Sequence, residues 1–198
     1  MSFTPSEQDQ TLTALLARVG LASLPAGAAG TIPFAQTFDR RMATSSVFAP
    51  PSGTLVLTAI YLTGGCQVNG ITFVSGLVGE ALGSHLWYAL YTNALTLVGQ
   101  TPDDTGAGAF AASTALRKTL TTPQICAYSG LYYVGFCCVA TTVPVLANVT
   151  PVLSALTGSI SAMSPSLAAT SSTGLAGIAP DPAGALTAIP QCLYAFVD

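Results

Sequence analysis

Residues 53–63 read GTLVLTAIYLT, a run with a period of two. Leu55, Leu57, Ala59 and Tyr61 fall on one face of an extended chain. Thr54, Val56, Thr58, Ile60 and Leu62 fall on the other. Gly64-Gly65 breaks the run, and CQVNGITFVSG (66–76) predicts a second strand with a kink at Asn69-Gly70. SHLWYALY (84–91) predicts a third, with His85, Trp87, Ala89 and Tyr91 sharing one face and Leu86, Tyr88 and Leu90 the other. LTLVGQ (95–100), residues 110–120, SGLYYVGFCCVATT (129–142) and the tail IPQCLYAFVD complete the β pattern. Short Gly, Asn, Pro and Thr breaks separate these runs. The expected fold is mainly β, an antiparallel β-sandwich of jelly-roll type. Residues 53–142 should be mostly strand, with Leu55, Leu57, Leu86, Leu90, Tyr132, Val134 and Phe136 buried.

Before residue 44 the period is helical. Thr4, Pro5 and Glu7 form an N-cap, a first-turn proline and a capping box. Leu12, Leu15, Leu16 and Val19 then make one apolar stripe at i, i+3, i+4 and i+7, and Gly20 is a natural stop. A Pro/Gly-broken connector follows, with isolated apolar anchors at Ile32, Phe34 and Phe38. Residues 1–43 are therefore read as an arm with one amphipathic helix, and residues 44–198 as the β-domain. Within that domain, residues 149–188 turn to Ser, Ala, Thr, Gly and Pro with little period. So long a stretch without a pattern is expected to lie along a neighbour or along the domain's own flank.

Charge changes the picture more than hydrophobicity does. Only 7% of residues are charged, with five basic and eight acidic side chains and a net charge of −3. No charge occurs from Met42 to Gly79, or from Thr119 to Pro180. A free monomer usually keeps itself soluble with interspersed charge, so surfaces this poor in it suit a chain packed against neighbours. Arg40-Arg41 and Arg117-Lys118 are the only basic pairs, too few to neutralise a run of phosphates, which argues against nucleic acid as a partner. Residues 130–147 are apolar enough to suggest a membrane span, but Thr141, Thr142 and Pro144 interrupt them and no Lys or Arg flanks them. MSFTPSEQDQ lacks the basic start of a secretory leader. Cys66, Cys126, Cys137, Cys138 and Cys192 follow no C-x-x-C spacing and read as free thiols; neither a metal nor a cofactor is expected.

Candidate chemistry converges on SHLWYALY, which holds the single His and the single Trp. Trp87 and Tyr91 on one face could stack on a sugar ring while His85 supplies a hydrogen bond; the simpler reading makes both rings core aromatics. A Cys–His nucleophile would need the fold to bring a thiol to His85. Asp103-Asp104 read as a solvated turn, since adjacent carboxylates seldom face each other across a substrate. No Gly-rich phosphate loop, G-x-S-x-G elbow or H-E-x-x-H pattern occurs, so no catalytic residue is assigned and an enzyme is not expected.

Taken in order, GTLVLTAIYLTGG, NGITFVSG, SHLWYALYTNALTLVGQTPDD, SGLYYVGFCCVATTVPVL and PQCLYAFVD resemble a β-sandwich module of tailed-bacteriophage virion structural proteins, particularly from phages of actinobacterial hosts. The resemblance spans about residues 44–198. It implies a minor tail or capsid-accessory protein, made in the host cytoplasm and resident in the virion, with no catalytic residues. Its partners would be major capsid or tail proteins and further copies of itself; the arm lies outside the resemblance, and its own apolar residues (Leu12, Leu15, Leu16, Val19, Ile32, Phe34 and Phe38) make it the expected docking device. The competing expectation is a carbohydrate-binding module that attaches to a host surface glycan through His85, Trp87 and Tyr91.

Overall fold

The alternating run at 53–63 forms β2 (Leu55–Leu62), one of twelve strands in a computed structural model that describes residues 35–44, 48–106, 109–150 and 165–198. The others are β1 (Ala35–Gln36), β3 (Gln67–Val74), β4 (Ala81–Thr92), β5 (Leu97–Gln100), β6 (Ala115–Ile125) and β7 (Gly130–Thr142). After them come β8 (Asn148–Val149), β9 (Ala168–Ser171), β10 (Thr187–Ala188), β11 (Cys192–Leu193) and β12 (Ala195–Val197). Among the described residues there is no α-helix; the one helical element is a 3-10 turn at Arg40–Met42, whose first turn is capped by the Asp39 carboxylate. The molecule is mainly β, and its strand pairings are antiparallel.

Two main sheets result. One has the order β1-β12-β3-β6, the other β10-β9-β2-β7-β4-β5, and β11 pairs with β8. The chain changes sheet from β2 to β3, from β3 to β4, from β5 to β6 and from β6 to β7. Residues of both sheets contribute to a single buried cluster. Val56, Ile60, Leu86, Tyr88, Leu90, Val134 and Phe136 of the larger sheet share one core with Val68, Ile71, Phe73, Ala195 and Val197 of the smaller. Phe73 meets Tyr88 and Phe136 edge-on, at 4.9 and 5.4 Å between centroids. All seven residues expected to be buried are buried, and the face assignments of β2 and β4 hold. The kink expected at Asn69-Gly70 is a register shift in the β3–β6 ladder between Val68 and Gly70.

The larger sheet is covered on its second face too. Leu55, Leu57, Ala59, Trp87, Ala89, Tyr91, Tyr133 and Cys137 form a second cluster there, closed by Ala179 and Ala183. Gly135 on β7 leaves room for it, since a Cβ at that position would meet Leu55 Cδ1 at 2.9 Å and Leu57 Cδ2 at 3.2 Å. The cover comes from the low-period segment, so its described part lies along the domain's own flank.

Three expectations are corrected. First, the sheets begin within the stretch read as arm: Ala35–Gln36 pairs with Phe196 and Val197, and the compact unit that contains the sheets runs Phe34–Asp198. Backbone pairing needs no side-chain pattern, so two residues of a connector can join a ladder unseen. Second, β6 starts at Ala115 rather than near residue 110, because Ser113 adopts positive φ and turns the chain, leaving Phe110 to reach the core from a loop. Third, the aperiodic segment contains β9, which adds to the edge of β2 through Leu55↔Ser171 to Thr58↔Ala168. The preceding unit, Met1–Pro33, lies outside the described residues together with Leu12, Leu15, Leu16, Val19 and Ile32; so does Phe34. Phe38 is described, half-buried and edge-on to Tyr194 at 5.4 Å.

Candidate functional site

His85 sits where β4 leaves regular register, at the shift between Gly83 and His85. Its Nδ1 lies 2.6 Å from Asp103 Oδ2, and Asp103 Oδ1 accepts from the Leu86 backbone N–H at 3.1 Å. The carboxylate is held because TPDD is no free turn. Thr101 donates to the Tyr88 carbonyl, and Leu86 and Asp104 exchange both backbone bonds at 2.9 Å, so the segment continues the β5 edge along β4. Asp104 also faces Lys118 Nζ at 3.6 Å. The expectation of a solvated Asp103-Asp104 turn is thereby corrected: backbone pairing with β4 draws Asp103 in. Asp103 is the site residue that sequence reasoning missed, and its one signal was its place just after a strand neighbouring His85.

The same face of β4 carries Trp87 and Tyr91, both with 0% exposure. Their polar ends are already occupied. Trp87 Nε1 donates to the Ala176 carbonyl, and Tyr91 Oη donates to the Pro180 carbonyl at 3.0 Å. Those carbonyls belong to a strap, residues 172–186, laid across the sheet face. Gln100 clasps it twice: its Nε2 donates to the Gly177 carbonyl at 2.8 Å, and its Oε1 accepts from Ala179 N at 2.7 Å. Asp181 Oδ1 accepts from Leu97 N at 3.0 Å, and Leu175 N donates to the Gly53 carbonyl at 2.9 Å. Small residues are required for so close a fit. A Cβ on Gly177 would meet Asp103 Oδ2 at 2.5 Å, so the strap also closes over the carboxylate that orients His85.

The fold does bring a thiol to this face. Cys137 is paired with Trp87 on β7, next to the His85↔Val139 pair, so it lies diagonally beside His85. Burial, reinforced by the nearby Asp103 charge, pushes its thiol up to about 12. A thiol with that pKa is almost wholly protonated near neutrality, which is the reverse of what an attacking thiolate requires. Cys138, on the opposite face, is likewise pushed up to about 12, by burial and then by the Glu80 charge. The Asp–His pair can orient an imidazole and leave Nε2 as its second nitrogen, yet the nearest nucleophile on that face is a deactivated one.

A separate apolar hollow of about 310 Å³ opens beside β9 and β11. Phe38, Met42, Val149, Leu167 and Ile189 line it, with Thr37 at its edge. Phe38 is thus the one residue of the expected assembly set that the described structure locates, and it borders this hollow. No group of three or more His, Cys, Asp and Glu side chains suited to a metal occurs among the described residues. No helix among them is long and apolar enough to cross a membrane. Compared with known proteins, the chain matches no family model and no curated protein.

Proposed function

We propose that this chain is a non-enzymatic structural component of a tailed-phage virion: a capsid-decoration, accessory or minor tail protein with a two-layer, jelly-roll-like sandwich as its body. It joins the particle and its own copies through the N-terminal segment. The observation that carries the reading is the strap. The His85–Trp87–Tyr91 face, the sugar platform that the sequence suggested, is closed by the chain's own residues 172–186, with the Trp87 and Tyr91 polar atoms bonded to carbonyls of that strap. A lectin leaves such rings open to stack on a ligand. Two further features favour assembly. The body switches sheets repeatedly around one shared core, which suits a self-contained module. Its surface also leaves Leu77, Leu82 and Ile178 more than two-thirds exposed, at 75%, 72% and 80%, on a charge-poor chain.

The test is removal of Met1–Pro33, the unit that carries Leu12, Leu15, Leu16, Val19 and Ile32. In sedimentation velocity the intact chain should associate, whereas the truncated chain should run as a monomer with an unchanged β-type circular dichroism spectrum. Purified particles should capture only the intact chain. Equal association or equal capture of the truncated chain would refute the role given to the arm. Failure of the truncated chain to fold would mean that the N-terminal segment belongs to the core instead.

A further inference from the structure

Four of the molecule's structural features converge on the turn between β2 and β3. Gly65 has φ of 82°, and Cys66 N donates to the Thr63 carbonyl at 3.2 Å, which makes Thr63–Cys66 a type II turn with glycine at its third position. Gly65 N donates to the Cys126 carbonyl at 2.8 Å, while Cys126 N donates to the Cys66 carbonyl at 2.9 Å. That pair of bonds, with a left-handed glycine ahead of Cys66, is a glycine β-bulge that extends the β3–β6 ladder one step past Gln67↔Ile125. Gly64 completes the arrangement, because a Cβ there would lie 3.0 Å from the backbone of Tyr128 and Ser129. The turn thus sets Cys66 directly opposite Cys126.

Both side chains point to the same face. Cys126 is part of the shared core and Cys66 packs against it. Opposed residues on antiparallel strands have Cα atoms about 4.5–5.5 Å apart, inside the span of about 4.4–6.8 Å that a disulfide bridges. The Cys126 thiol is pushed up to about 12, by burial first and then by the neighbouring Cys66 thiol. The other three cysteines offer no comparable pair. Cys137 and Cys138 are neighbours in sequence and face opposite clusters, and Cys192 is on β11, hydrogen-bonded toward the Leu167 carbonyl.

We propose that Cys66 and Cys126 are a redox site, two thiols preset to close into a cross-strand disulfide when the chain meets a small-molecule disulfide oxidant. The chemistry balances as thiol exchange. Cys66, the partly exposed member, loses its proton to solvent and attacks the oxidant, releasing one small thiolate and leaving a mixed disulfide. Cys126 then loses its proton and attacks the Cys66 sulfur, expelling the second small thiolate. The protein gives up two electrons and two protons, and the oxidant becomes two thiols. Its high pKa makes Cys126 slow to ionise, so the second step should be the slower one. The product ties the β2–β3 turn to the end of β6 and closes a loop of roughly 60 residues, which disfavours the unfolded chain.

The test uses the intact chain, incubated with oxidised glutathione or with a phosphine reductant. Titratable thiols in denaturant should fall from five to three, a loss of two, and the intact mass should drop by two hydrogens. Peptide mapping without reduction should join the Cys66 and Cys126 peptides. The oxidised chain should melt roughly 5–15 °C higher than the reduced one. Cys126→Ala should hold a glutathione adduct at Cys66 and gain no such shift. Retention of all five thiols, a bond mapped to any other pair, or a glutathione adduct that stays on Cys66 of the wild-type chain would overturn the proposal. The wild-type map decides the matter even if a variant fails to fold.

Discussion

Tyr88 illustrates how single side chains set the balance in this core. It is wholly buried between Phe73 and Phe136, and its hydroxyl has no hydrogen-bond partner among the described residues. Burying an unbonded hydroxyl costs about 1–3 kcal/mol. Tyr88→Phe should therefore leave stability unchanged or raise it by up to about 1–3 kcal/mol in urea unfolding; a clear loss would mean that the hydroxyl is bonded. Trp87 is the opposite case, since both its ring and its N–H are used. Trp87→Ala should cost about 3–5 kcal/mol, measured the same way. The buried thiols set a pH dependence. Cys137 and Cys138 are raised from 9.0 to about 12, so on alkaline titration the unfolded chain sheds these protons before the folded one does. Their contribution to stability is full below pH 9.0 and is lost as pH rises toward about 12. Urea midpoints should fall across that window in the reduced chain, and Cys137→Ala should flatten the fall; a midpoint that rises with pH would contradict the burial.

At the scale of elements, the long strands, β5 and the tail were legible, whereas β1, β8, β9 and β10 were not. In β2 and β4 side chains alternate between two chemically different apolar faces, so a period of two survives even where both faces are buried. β9 and the strap gave no such signal, because they are built largely of Ala, Ser, Thr, Gly and Pro that fit close to a sheet and are fixed by backbone bonds. The same limit hid half of the candidate site. The shared face of His85, Trp87 and Tyr91 followed from spacing alone. That residues 172–186 would lie over it, and that Asp103 would meet His85, depend on contacts between chain segments far apart in sequence. The strap can be tested directly. Gly177→Ala places a Cβ 2.5 Å from Asp103 Oδ2, so either the strap or the carboxylate must move. Trp87 fluorescence should shift to the red and stability should fall by about 1–3 kcal/mol. Unchanged emission and stability would mean that the strap is not closely fitted there.

Across the whole molecule, a body with both faces of its larger sheet covered is coupled to a chain with 7% charged residues. The Trp87–Tyr91 face is covered, while Leu77, Leu82 and Ile178 are exposed and an apolar hollow opens beside Phe38, all among the described residues. This distribution favours a protein that works by occupying a place in an assembly over one that binds and releases a small ligand. Immunogold electron microscopy on particles released from the cells that make this chain tests that claim most directly. The account predicts gold at a fixed position on intact particles, reproduced from one particle to the next. Unlabelled particles, together with purified chain that binds host cell-wall glycan, would contradict it.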